Sequence, residues 1–211
     1  ITINYDLTRP NLGVGIDARN ILRRNATHFI HSAALLNHQE RVRELVFASN
    51  VDAAVKTYEM ASELGISRFI QISTAYVTGR AEGYLKPVHS ELFIGFNNYY
   101  EQSKYEAESA LLKAVERGTD LTIFRPTIVT GHAASNLCHG SASGLFGMQS
   151  KLYRLQSYLG DLRQPVRLAV NPEITPDFVP VDQVVGDLMH VIESDKRGGI
   201  FVSSAAHRSS L

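Results

Sequence analysis

"THFIHSAA", residues 27–34, is a short apolar run that ends in small residues. A run of this kind suits a buried strand whose C-terminal end must let something approach closely. The segment that follows, "RVRELVFASNVDAAVKTYEMASELG" at 41–65, sets Val51, Ala54, Val55, Tyr58 and Ala61 at helical spacing and stops at Gly65, a common helix terminator. "SRFIQIST" at 67–74 again reads as strand. A polar stretch from Gly79 to Phe96 then leads to "NNYYEQSKYEAESALLKAV" at 97–115, which reads as a soluble helix. "DLTIFRPTIVTG" at 120–131 is a third run, rich in Ile, Thr and Val. Strand alternating with helix three times over predicts an α/β fold whose parallel sheet is covered on both faces. Such sheets bind ligands beyond the carboxyl ends of their strands, here His31 to Ala34, Ser73 to Tyr76, and Arg125 to Thr130.

Beyond Gly131 the pattern changes. A loop rich in Gly, Ser and Ala, "GHAASNLCHGSASGLFG", precedes an amphipathic helix, "MQSKLYRLQSYLG", and a short strand, "VRLAV". "DFVPVDQVVGDLMHVIES" restarts a strand and a helix, with Asp182 read as its N-cap, and "GGIFVSS" gives a last strand. The expected organisation is one domain over 1–211, with 1–131 as the sheet core and 132–211 as a small C-terminal lobe on the substrate side.

The composition excludes several partners. Lys plus Arg equals Asp plus Glu at 21 each, so no overall field draws the chain to nucleic acid or an anionic membrane. No apolar run is long enough to span a bilayer, and the single Cys138 has no partner for an internal bridge, which makes a reducing cytoplasm the default location. The eight histidines form no HExxH-type spacing, so no metal is expected, and no GxSxG elbow surrounds Ser73, which argues against a hydrolase. Cys138 is read as structural. Arg163 and Arg167 are read either as phosphate contacts or as exposed surface residues.

Tyr100 and Lys104 sit four apart in the helical stretch, on one face. Alone, that spacing fits a solvated surface pair as well as a proton-donating phenol with an ammonium beside it. The parallel sheet brings Thr74, at a strand end, to the same rim, and a hydroxyl, a phenol and an ammonium around one cleft form an acid catalyst for a carbonyl oxygen.

With these residues placed, the chain resembles the extended short-chain dehydrogenase/reductase family, which has a Rossmann-type doubly wound fold. The resemblance rests on "HSAA" at 31–34, "NV" at 50–51, "ISTAYVTG" at 72–79, YxxxK at 100–104, "RPTIVTG" at 125–131 and "DFVPVDQVV" at 177–185. Within the family it looks most like the thioester reductase and fatty acyl-CoA reductase (male sterility-like) branch. "YDLTRPNLGV" at 5–14 is close to that branch's GDLxxPxLGL pattern with Tyr5 in place of Gly, and "STAYVTG" and "NYYEQSKYEAE" point the same way.

The resemblance implies that Tyr100 donates a proton to the substrate oxygen. It implies that Lys104 holds the nicotinamide ribose and lowers the phenol's pKa, and that Thr74 hydrogen-bonds the substrate carbonyl. It also implies that Ala33 and Ala34 line the cofactor, that Asn50 belongs to the cofactor site, and that Pro126 and Thr127 lie against the nicotinamide. Glu91 and Asn97 match a recurrent acid and amide of less defined role. The implied cofactor is NADP, with NAD as the alternative. The implied substrate is an acyl thioester on coenzyme A or a phosphopantetheine carrier, reduced to an aldehyde or alcohol.

The family's glycine-rich GxxGxxG turn, which holds the cofactor pyrophosphate, is absent: Gly13 and Gly15 lack a third glycine and a preceding apolar strand. The chain therefore reads as a fragment of a longer protein, weak or inactive alone, with a first strand left as an edge through which copies self-associate. Two other functions remain open on the same residues. One is a nucleotide-sugar epimerase or dehydratase, or a hydroxysteroid or flavonol type dehydrogenase; the other is a non-catalytic scaffold.

Overall fold

The computed structural model describes residues 2–6, 9–37, 39–83, 85–90, 95–115, 119–138, 144–159, 176–194 and 196–205. Its elements are α1 (Ile16–Asn25), β1 (His28–His31), α2 (Arg43–Phe47), α3 (Ala53–Glu63), β2 (Arg68–Ile72), α4 (Tyr99–Ala114), β3 (Asp120–Pro126), β4 (Ile128–Thr130), α5 (Gly144–Leu159), β5 (Phe178–Pro180), α6 (Val181–Glu193) and β6 (Gly199–Ser203). Four strands form one parallel sheet in the order β1-β2-β3-β6. β4 and β5 form a separate parallel pair. Two compact units are distinguished: Ile1–Thr127 with Asp187–Ser203, and Ile128–Gly186 with Ser204–Leu211. The first holds the four-stranded sheet, α1 to α4 and the C-terminal half of α6; the second holds the β4–β5 pair and α5.

Alternation along each strand divides the sheet residues between two faces. On one face Phe69, Leu121 and Ile123 pack against Ala54, Tyr58, Ala61 and Leu64 of the α3 segment and Ala107 and Leu111 of α4. Tyr58 meets Phe69 edge-on at 5.3 Å, and its hydroxyl donates to the Thr119 carbonyl at 2.8 Å. The small Ala residues let α3 come close enough for that packing. Ile70, Thr122 and Phe124 are buried on the opposite face, where α6 ends, so helices cover both faces and the doubly wound Rossmann-type architecture stands.

Arg68 secures that second face. Only 7% exposed, its guanidinium donates to the carbonyls of Val191 and Ile192 in the last turn of α6 and of Ser194 and Lys196 just beyond it. Arg68→Met should lower unfolding stability by roughly 3 kcal/mol, because it strands buried acceptors. Urea denaturation checks this, and a loss below about 1 kcal/mol would show that water replaces the guanidinium.

Several expectations shift in detail. The helix read over 41–65 is broken into α2, one wide turn of π-helix at Ala48–Asp52, and α3. That turn faces Asn50 inward, where its amide binds backbone (below). The run at 120–131 splits after Pro126 into β3 and β4, which belong to different sheets. Asp182 lies within the first turn of α6, and its carboxylate accepts the Ala133 N–H at 2.9 Å, pinning the turn after β4. The amphipathic helix is α5, starting at Gly144. The strand expected at 166–170, with Arg163 and Arg167, lies outside the described residues. Among the described residues β1 has β2 as its one strand neighbour, and no helix is long and apolar enough to cross a membrane.

Candidate active site

All eight residues singled out from the sequence lie in the first unit. β2 ends at Ile72, and Thr74 follows as the cap of a 3-10 turn, Ala75–Thr78, its Oγ1 accepting the Tyr76 N–H at 3.3 Å. The hydroxyl hydrogen remains to be donated. Gly79 closes that turn at φ +59°, where a side chain would overlap the Gly95 carbonyl, so glycine is required there.

α4 starts at a capping box. Asn98 Oδ1 accepts the Glu101 N–H at 2.9 Å, while the Glu101 carboxylate reaches back to the Asn97 N–H and to both Asn97 and Asn98 side-chain amides, each at 3.0 Å. This gives Asn97 a definite role: it fixes the helix start. Glu91 lies outside the described residues. With the start fixed, Tyr100, Lys104 and Glu108 form one row at i, i+4, i+8. α4 packs on the Thr74-capped turn, and Lys104 Nζ donates to the Ile72 carbonyl at 2.6 Å. The Lys104 ammonium and the Thr74 hydroxyl thus lie at the carboxyl end of β2, with Tyr100 one helical turn before Lys104 on α4.

Their electrostatics differ from the expectation in one respect. Burial pulls Lys104, 2% exposed, from 10.5 down to about 8, against the opposing pull of Glu108. Burial also pushes the Tyr100 phenol above 10, where the sequence reading expected it to be lowered. The ammonium donates to the Ile72 carbonyl, and desolvation sets the direction of the phenol's shift.

Ala33 and Ala34 are exposed on the segment leaving β1, with nothing beyond Cβ to obstruct a ligand. Leu35, next in the chain, is clamped by Asn50, whose Oδ1 accepts the Leu35 N–H at 2.7 Å and whose Nδ2 donates to the Leu35 carbonyl at 3.1 Å and to Ser103 Oγ at 2.9 Å. Ser103 Oγ in turn donates to the Tyr100 carbonyl at 2.8 Å. The Asn50 amide therefore joins the segment after β1 to α4. Pro126 is buried at the end of β3, and the Thr127 N–H donates to Ser203 O at 2.9 Å.

The residues fit the nicotinamide end of a dinucleotide. An ammonium carries three N–H donors, and among the described residues Lys104 gives one to Ile72, which leaves two for a ribose diol.

Beneath this site lies a buried network that sequence reasoning passed over. Glu108 is fully buried and accepts from Ser73 Oγ at 2.5 Å, Arg125 Nε at 3.0 Å, Arg125 Nη2 at 2.5 Å and His89 Nδ1 at 3.2 Å. Burial alone would raise its carboxyl; the bonds from His89, Arg125 and Ser73 and the Arg125 charge hold it below the ordinary carboxylate value. The available signal was its place four residues after Lys104.

His31, at the end of β1, is 2% exposed, and its Nε2 is unpartnered. Burial, then the Lys104 charge, lowers it from 6.5 to about 4. The unfolded chain takes up this proton at higher pH than the folded one. Stability is therefore intact above pH 6.5 and falls by roughly 3 kcal/mol as pH drops to about 4. His31→Leu should flatten that segment of the denaturation-midpoint profile; a profile parallel to wild type would show that His31 titrates normally.

A doubly wound parallel sheet with Lys104 and the Thr74-capped turn at the end of one strand has the form of a dinucleotide-binding fold. The chain belongs to the male sterility protein family, an NAD-binding family whose model matches residues 1–188. It is similar to a non-canonical nonribosomal peptide synthetase of Aspergillus campestris, 24% identical over 90% of this chain and 18% of that protein. It is also similar to a fatty acyl-CoA reductase of Drosophila melanogaster, 23% identical over 89% of this chain and 40% of that protein. Among solved structures, the terminal R domain of the myxalamid PKS-NRPS pathway superposes with a TM-score of 0.76 at 22% identity, covering 99% of this chain and 50% of that one. The chain spans between 9% and 40% of the length of the curated relatives it matches.

Proposed function

We propose that the chain carries the proton chemistry of an NADPH-dependent reductase acting on an acyl thioester held by coenzyme A or a phosphopantetheine arm: hydride and a proton give a hemithioacetal, which breaks its C–S bond to release the carrier thiol, carrying the hydroxyl proton, and the aldehyde; a second hydride and proton give an alcohol. The observation that supports this best is the buried Lys104, bound to the carbonyl at the end of β2, in one row with Tyr100 and beside the Thr74-capped turn. When bound, the nicotinamide supplies hydride. Thr74 Oγ1–H and the Tyr100 phenol donate to the carbonyl oxygen as it gains charge, and Tyr100 gives up its proton. Lys104 uses its two remaining donors on the ribose. Ala33 and Ala34 line the cofactor, Asn50 holds the loop they stand on, and Pro126 with Thr127 lies against the nicotinamide.

In this proposal 1–131 holds the cofactor and proton chemistry, 132–211 recognises the acyl carrier, and the protein works in the cytoplasm. NADP is preferred to NAD because the branch that the sequence resembles uses it. Self-association through β1 would appear as a second species in sedimentation. The test of the reading is NADPH oxidation by the complete natural gene product with acyl-CoA and acyl-carrier thioesters, with the aldehyde trapped. Turnover of a nucleotide sugar would favour the epimerase or dehydratase reading, and failure to bind any dinucleotide would leave a scaffold.

A further inference from the structure

Glu108 touches the residues that precede two parts of the site and shares a helix with a third. Ser73 precedes Thr74; Arg125 precedes Pro126 and Thr127; Lys104 stands one helical turn above Glu108 on α4. His89 adds the 85–90 segment: it binds Glu108 at 3.2 Å, lies 2.8 Å from Ser109 Oγ and stacks on Tyr105 at 4.5 Å between ring centroids. Arg125 also donates to the Val88 carbonyl at 3.2 Å.

From this geometry we infer that Glu108 is a positioning residue: one buried carboxylate locks the ends of β2 and β3 to the helix bearing Tyr100 and Lys104, and so sets the distance between proton donor and substrate oxygen. This rests on the reductase reading for its catalytic consequence, but the lock itself does not. A buried ion pair is weak evidence for stability, since a well-packed apolar substitute often does as well. Shared bonds to two strands and a loop are a reason to keep such a pair that apolar packing would not supply. The geometric demand is strict, because a displacement of about 1 Å can lower a rate about a hundredfold.

Glu108 also acts on Lys104 by charge. The ionisable groups around Lys104 are Tyr100 and Glu108 on its own helix, His31 from β1, Arg125 from β3 and His89 from the 85–90 segment. His31 is neutral at working pH, and Arg125 offsets part of the Glu108 charge. Among the described residues, Glu108 is the carboxylate that favours the Lys104 ammonium. Removing its charge should let Lys104 lose its proton at lower pH.

The experiment uses the complete natural gene product with Ser73→Ala, Glu108→Asp and Glu108→Gln. Ser73→Ala deletes one strand of the lock and keeps the ion pair, so it should fold. It should lower kcat about tenfold with cofactor KM within about twofold, and speed hydrogen exchange at both 74–79 and 100–104. Glu108→Gln should move the alkaline limb of the rate profile down by about one pH unit, a change that mere loss of folded protein does not produce, with Glu108→Asp recovering most of it. Exchange is read without turnover. If wild type reduces no thioester yet Ser73→Ala loosens both segments, the substrate reading fails and the lock stands. Exchange in Ser73→Ala unchanged at 74–79 and 100–104 overturns the lock, as does a Glu108→Gln limb that coincides with wild type.

Discussion

Tyr100→Phe should lower kcat for thioester reduction about a thousandfold while leaving cofactor affinity within about threefold. Phenylalanine keeps the ring and its packing on α4, so the change removes one O–H group and little else. That group is asked to donate to an oxygen gaining charge and to surrender its proton, each worth two to four powers of ten in typical cases. Because burial pushes the phenol above 10, Tyr100 is protonated across the neutral range and has the proton to give. Thr74→Ala leaves the phenol in place and should cost less, and the double variant should be barely worse than Tyr100→Phe, since the two donors act on one oxygen. Single-turnover rates at saturating NADPH make the comparison. A Tyr100→Phe rate within about fivefold of wild type would remove the phenol from the mechanism and return the row on α4 to a structural role.

What the sequence could announce was periodic or local. Apolar runs at 27–34, 67–74 and 120–131 with helices between them foretold the parallel sheet, and spacing put Tyr100 with Lys104. What it could not announce depended on partners distant in the chain. The resemblance singled out Asn50 but not its partners: Leu35 and Ser103 close on it, at the wide turn Ala48–Asp52. Glu108 looked like one more charge on a solvated helix, yet Ser73 and Arg125, 35 and 17 residues away, bury it completely. Arg68 reads as a surface residue at the start of a strand; only the arrival of α6 more than a hundred residues later shows why it is buried. The Tyr100 acidity was misjudged for the same reason. Spacing gives the neighbour, while desolvation is set by everything that packs around it.

Lys104→Met should abolish most activity and yet make the protein more stable. The folded pKa of about 8 lies below the unfolded 10.5, so the unfolded chain holds this proton more tightly. The penalty for burying the ammonium is therefore fully present below pH 8 and is relieved as pH rises to 10.5, a difference of roughly 3 kcal/mol. Methionine fills similar space without charge. The Ile72 carbonyl it abandons still accepts from Gln71 Nε2 at 2.9 Å, so no buried acceptor is orphaned. Urea denaturation at pH 7 should show Lys104→Met more stable than wild type by about 1 to 3 kcal/mol, with the two converging near pH 10. In the same protein kcat/KM for NADPH should fall at least about a hundredfold, and the alkaline limb near pH 8 should vanish with the group that causes it. A variant that is both less stable and fully active would mean that the ammonium is held for packing and not for a ligand. A stability gain joined to loss of function would mark Lys104 as a residue the fold tolerates for the chemistry it performs.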